Sequence, residues 1–71
     1  MTDLTERQTQ VLEARMAGET QKRIAARLGL SIRAVASHEY RALLKLHTHD
    51  LALAARRWRA LQREALVRAT T

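Results

Sequence analysis

The chain has 71 residues, with 13 Lys plus Arg against 7 Asp plus Glu, and neither cysteine nor proline. That length suits one domain that buries only about 60% of the surface its unfolded form exposes, and without thiols disulfides and thiolate metal sites are excluded as staples. Helix packing or self-association must then supply the stability, while the net charge of +6 and a pI near 11.4 point to an anionic partner, nucleic acid first.

No apolar run approaches the ~20 residues that span a bilayer, and the N-terminus lacks the basic-then-apolar order of a signal peptide. A soluble, cytoplasmic protein with no membrane partner is expected. Alanine, leucine and arginine dominate and only two glycines occur, which favours helix throughout and leaves little material for strands. The fold class read from this is all-α, one domain over residues 1–71, with a three-helix core over 1–47 and a C-terminal helix over 48–71.

Charge is unevenly placed along that plan. Residues 1–20 carry Asp3, Glu6, Glu13 and Glu19 against Arg7 and Arg15, a net of −2. Residues 21–47 carry Lys22, Arg23, Arg27, Arg33, Arg41 and Lys45 against Glu39, a net of +5. The remainder sets five arginines against Asp50 and Glu64 for +3. A nucleic-acid surface is therefore expected in the basic middle; the competing reading is that these charges only solvate helix faces.

Thr5-Glu6-Arg7-Gln8 is a capping box, so the first helix is predicted to start at Glu6. Val11, Leu12, Arg15 and Met16 share adjacent rows of it, Leu4 closes over its first turn, and Gly18 stops it. Thr20 caps a short second helix with Ile24, Ala25 and Leu28 inward, Lys22, Arg23 and Arg27 outward, and Gly29 as its stop. The turn Gly29-Leu30-Ser31 ends in another capping hydroxyl. A short, glycine-bearing turn between two helices is the helix-turn-helix signature.

The third helix is predicted from Ile32 to about Leu46, with Val35, Ala42, Leu43 and Leu46 inward and Arg33, Ala36, Ser37, Tyr40, Arg41 and Lys45 outward. After the break His47-Thr48-His49-Asp50, with Asp50 as cap, a fourth helix runs from Leu51 to about Ala69, about 28 Å long. Its stripe is Leu51, Ala54, Ala55, Trp58, Leu61, Ala65 and Ala69. So long a stripe exceeds what a three-helix core can cover, and a second set, Leu53, Ala60 and Val67, lies off it. Part of this helix is expected to pack on a second copy of the chain.

The run Leu4-Thr5-Glu6-Arg7, Val11-Leu12, Ala17-Gly18, Lys22, Ile24-Ala25, Leu28-Gly29-Leu30-Ser31, Val35, His38 and Lys45-Leu46 resembles the LuxR/GerE family of helix-turn-helix DNA-binding domains. It also resembles the fourth region of bacterial sigma factors, which shares the opening motif and an arginine-alanine pair, here Arg41-Ala42; His38 and Lys45-Leu46 favour the first. The LuxR resemblance implies a third helix in the major groove of double-stranded DNA and a fourth helix that makes a homodimer. Carried over, it implies base reading by Ala36, Ser37 and Tyr40 and phosphate contacts from Thr20, Gln21, Lys22, Arg23, Arg33 and Arg41. The dimer contacts it implies are Leu51, Ala54, Ala55, Trp58, Leu61 and Ala65.

This chain has Ala36 where that family usually has lysine, and a lost base contact removes about 1–3 kcal/mol of discrimination. Arg33, three positions earlier on the same face, is the expected replacement base reader. His47 and Thr48 also stand where the family has a glycine and a hydrophobic residue, so a different placement of the fourth helix is expected. Only three residues precede the domain, so no receiver for a signal is expected, and regulation would act through abundance or a protein partner.

His38 reads as a half-buried packing residue, and His47 and His49 lack the neighbouring carboxylates or thiols of a metal site. Trp58 reads as a core or dimer anchor. No nucleophile-base pair and no glycine-rich phosphate loop occurs, so neither an enzyme nor a cofactor is expected. Two functions follow: a small homodimeric regulator of transcription that binds duplex DNA, or a protein-binding module that docks on RNA polymerase or another regulator.

Overall fold

The computed structural model describes residues 3–70, so the outermost residues of the expected 1–71 domain lie outside it. Four helices follow one another, α1 (Glu6–Met16), α2 (Gln21–Leu28), α3 (Ile32–Lys45) and α4 (Leu51–Thr70), and no strand occurs among the described residues. The boundaries follow from local chemistry. Thr5 Oγ1 accepts from the Gln8 amide at 3.1 Å while Gln8 Oε1 accepts from the Thr5 amide at 3.2 Å, the predicted reciprocal cap. Thr20 and Ser31 accept in the same way from Arg23 and Ala34, at 3.1 and 3.0 Å.

The C-terminal stops share one geometry. Gly18 and Gly29 adopt positive φ, 93° and 68°, and the next amide returns to a carbonyl five residues back, Glu19 to Ala14 at 3.1 Å and Leu30 to Ala25 at 2.9 Å. The end of α3 repeats this with His47 at φ 59°: its amide reaches Leu44 O at 2.9 Å and the Thr48 amide reaches Leu43 O at 3.1 Å. A histidine therefore does a glycine's task, in a conformation that costs an L-residue roughly 1–2 kcal/mol. Arg57 offsets part of that cost by donating to the carbonyls of Leu46 and His47 at 2.6 and 2.7 Å. The Arg57 side chain thereby ties α4 to the end of α3.

Two buried clusters hold the helices together. Val11, Ala14, Ile24, Ala25 and Val35 join α1, α2 and α3, with Leu28 and Leu30 packed against them. Leu12, Ala42, Leu43, Leu46 and Ala54 join α1 and α3 to the start of α4, with Leu4, Met16, Leu51, Trp58 and Leu61 at the margin. α1 thus lies between the helix-turn-helix pair on one side and α4 on the other, Val11 serving the first cluster and Leu12 the second. Asp50 starts α4 by accepting from the Ala52 amide at 2.8 Å.

The stripe of α4 is corrected at its distal end. Ala54 is completely buried and Ala55 nearly so, Leu51, Trp58 and Leu61 are half-buried against the chain's own core, and Ala65 and Ala69 are exposed. The face expected to meet a second copy is thus covered from within up to Leu61. Beyond it, every described residue of α4 is exposed, and Gln62 still reaches α1 through a hydrogen bond to Glu13. Trp58 is a core anchor: its Nε1 donates to Glu13 Oε2 at 3.1 Å, and Gln62 Nε2 donates to the same oxygen at 3.2 Å. No described helix is long and apolar enough to cross a membrane.

Candidate nucleic-acid interface

Turning by about 100° per residue, α3 places Arg33, Ser37, Tyr40 and Leu44 on one row, roughly opposite the buried row of Val35, Ala42 and Leu46. Arg33, Tyr40 and Arg41 are exposed, with Arg41 and Ala36 flanking the row on its two sides. Ala36 and Ser37 are half-buried, so the middle of the face is shallow and its two ends carry the long side chains. Lys45, also expected to point outward with this set, is engaged elsewhere. Its Nζ donates to Gln8 Oε1 at 2.9 Å and to the Asp3 carbonyl at 2.5 Å, tying α3 to the start of α1.

Sequence reasoning missed Leu44, which is 42% exposed and continues the row one turn past Tyr40. Its i+4 spacing from Tyr40 was the available signal. The Tyr40 ring lies beside the His49 ring from the connection to α4, with centroids 6.1 Å apart and planes tilted by 31°. The His38 side chain is half-buried, and its Nδ1 is buried without a hydrogen-bond partner.

The electrostatics of this side depend on one acid. Between Thr20 and His49 the only acidic residue is Glu39. Its carboxylate, 13% exposed, accepts from Arg15 Nε at 2.8 Å and from Gln21 Nε2 at 3.1 Å. α1, α2 and α3 are thereby pinned at one oxygen, and the single negative charge of the basic middle is neutralised on the inner side of α3. Glu19 similarly takes Arg27 at 2.8 Å and Lys45 is held by Gln8 and Asp3, which leaves Lys22, Arg23, Arg33 and Arg41 as the exposed cations of α2 and α3 whose side chains have no partner among the described residues.

At the start of α2, Thr20, Lys22 and Arg23 are exposed, whereas Gln21 is half-buried and its side-chain amide is engaged by Glu39. Gln21 can therefore offer its backbone N–H, not its side chain, to a partner. Thr20 satisfies the Arg23 amide, and the amides of Gln21 and Lys22 have no partner among the described residues. Unpaired donors at a helix N-terminus suit an anion. The structure thus brings the expected phosphate residues Thr20, Lys22 and Arg23 to one helix end and Arg33 and Arg41 to the outer side of the next helix.

A family model described as bacterial regulatory proteins, luxR family, matches residues 2–58. The matched segment contains the three-helix unit, the left-handed turn at His47 and most of the covered part of α4, and it ends at Trp58, the last anchor before Leu61. Searches of curated proteins and of solved structures gave no match. With the helix-turn-helix, its basic outer face and a family match over most of the chain, the protein belongs to the luxR family of bacterial regulatory proteins and carries that family's DNA-binding domain.

Proposed function

We infer that this chain regulates transcription by binding duplex DNA as a homodimer, each copy laying α3 in the major groove. The observation that carries this reading is the outer face of α3, which presents Arg33, Ser37, Tyr40 and Arg41 with its one acid, Glu39, turned inward and paired. Arg33 and Tyr40 read base edges at the two ends of that face, with Ser37 between them and Ala36 allowing close approach of the helix. Thr20, Gln21 through its amide, Lys22, Arg23 and Arg41 hold phosphates and set the register. Leu44 adds an apolar contact of the sort a thymine methyl accepts.

Dimerisation is assigned to the margins of the α4 stripe, Trp58 and Leu61, and to the exposed Ala65, since Ala54 and Ala55 are covered within each copy. A two-fold dimer sets the half-sites about 10 base pairs apart or a multiple of that.

Selection from random duplexes at physiological salt tests the reading, paired with a solution mass measurement. An enriched two-fold motif and a dimer mass are expected. Arg33→Ala should relax the motif at one position by about 1–3 kcal/mol, while Arg41→Ala should weaken all sequences alike and lower the salt slope by about 1. No enriched motif would sink the specific regulator, and a monomer on DNA would sink the dimer.

A second reading rests on Leu66 and Val67, which are 67% and 55% exposed, together with Ala36: the chain docks on RNA polymerase or another regulator. Binding to purified polymerase that survives nuclease treatment and is lost in Leu66→Ser/Val67→Ser supports it.

A further inference from the structure

Arg56, Arg59 and Arg63 of α4 lie outside both the core and the face of α3. All three are exposed, and none makes a hydrogen bond or ion pair among the described residues. Their spacing of three and four residues places them within an arc of about 60°, on the side of α4 turned away from Ala54 and Leu61. The one acid of α4, Glu64, lies off this arc, about 100° round from Arg63.

Solubility alone does not account for the choice of residues. A helix needing only a wet face gains from alternating acids and bases at i and i+4, whereas Arg59 and Arg63 are like charges at that spacing and oppose helix formation. A partner that carries phosphates would cancel that repulsion. Arginine is moreover the cation whose planar fork matches phosphate.

We propose that Arg56, Arg59 and Arg63 form a second phosphate-binding surface, which takes the backbone of a second DNA duplex while α3 holds the first. The length is compatible: Arg56 and Arg63 are about 10.5 Å apart along the helix axis, which corresponds to roughly three phosphates of one strand when these are counted along the duplex axis at 3.4 Å each. The placement fits as well. α4 packs on α1 and on the end of α3, and the α3 row and the α4 row both face away from this shared core, on different helices. The proposal rests on the reading of α3 as a DNA-binding helix only for the identity of the first ligand.

The test uses the full chain, a biotinylated duplex carrying the selected motif on beads, and a fluorescent duplex of unrelated sequence in solution. Wild type retains the fluorescent duplex on the beads. Arg56→Gln/Arg59→Gln/Arg63→Gln should retain about tenfold less or lower still, with a salt slope for retention smaller by about 2.7, yet bind the motif duplex as wild type does. All three positions are exposed, and an unchanged melting transition confirms that the variant folds.

No retention by wild type overturns the proposal, and so does retention that survives the triple substitution. Motif binding lost in step with retention overturns it too, by showing one duplex across both rows. Polyglutamate competing as well as DNA for the row would make the occupant an acidic protein and overturn it likewise. Arg33→Ala/Arg41→Ala separates the two readings: if α3 does not hold DNA, this variant binds every duplex as wild type does, whereas the triple variant still reports on α4 alone.

Discussion

Residues 51–61 and 62–70 are two parts of one uninterrupted helix, written in the same alanine, leucine and arginine vocabulary. In the first part Ala54 disappears into the core and Trp58 and Leu61 lean on it; in the second every described residue is exposed, Leu66 and Val67 included. Nothing local separates them. The difference is what stands opposite: Leu12, Met16 and Glu13 of α1 face the first part, and α1 ends at Met16. Periodicity tells which side of a helix is apolar, but how far along that side the burial extends depends on the length of its neighbour.

The largest effect should come from removing the neighbour. Leu12→Ala empties a fully buried site shared by α1, α3 and α4 and should cost about 2–5 kcal/mol, enough to unfold much of so small a domain, as read by urea titration of the helical signal. A cost below about 1 kcal/mol would mean that the second cluster does not hold α4. Next, the same substitution is made in both parts of α4. Ala54→Leu should overpack and cost about 1–3 kcal/mol, while Ala65→Leu, at an exposed position, should stay within about 0.5 kcal/mol in the same thermal melts. Equal effects would erase the contrast.

At the joint before α4, His47→Gly should stabilise the chain by about 1 kcal/mol, because glycine takes a left-handed φ without the clash of a Cβ. A destabilised variant would show that the histidine side chain holds the joint. Smallest of all should be the effect of ending the chain after Gln62. The missing segment makes little contact with the core, so the melting transition should move by less than about 1 kcal/mol, while dimerisation, which loses Ala65, and retention of a second duplex, which loses Arg63, both weaken. A large drop in stability would mean that the distal part supports the core after all.

Much of the fold was legible beforehand because its signals are short-range. Thr5 with Gln8, Thr20 and Ser31 each bond to an amide three residues away, and Gly18 and Gly29 mark stops that need a left-handed residue. Such features need no knowledge of what lies across the core. Three parts of the interface were not legible for the opposite reason. The pairing of Glu39 with Arg15 and Gln21 joins residues 24 and 18 positions apart, the Tyr40–His49 ring contact depends on a turn whose stop is a histidine, and Arg57 reaches carbonyls 10 and 11 residues back.

By itself, then, the sequence determined the four helices, their caps, the helix-turn-helix and the basic bias of its middle, since each follows from residues within a turn or two of one another. Only the tertiary structure decided which charges are free to act. It withdrew Gln21, Arg15 and Lys45 into internal contacts, left Lys22, Arg23, Arg33 and Arg41 outside, and split α4 into a covered part and an open one. The physical reason is that a charge or an apolar side chain is committed only by its partner, and partners far apart in the chain meet only when the helices pack.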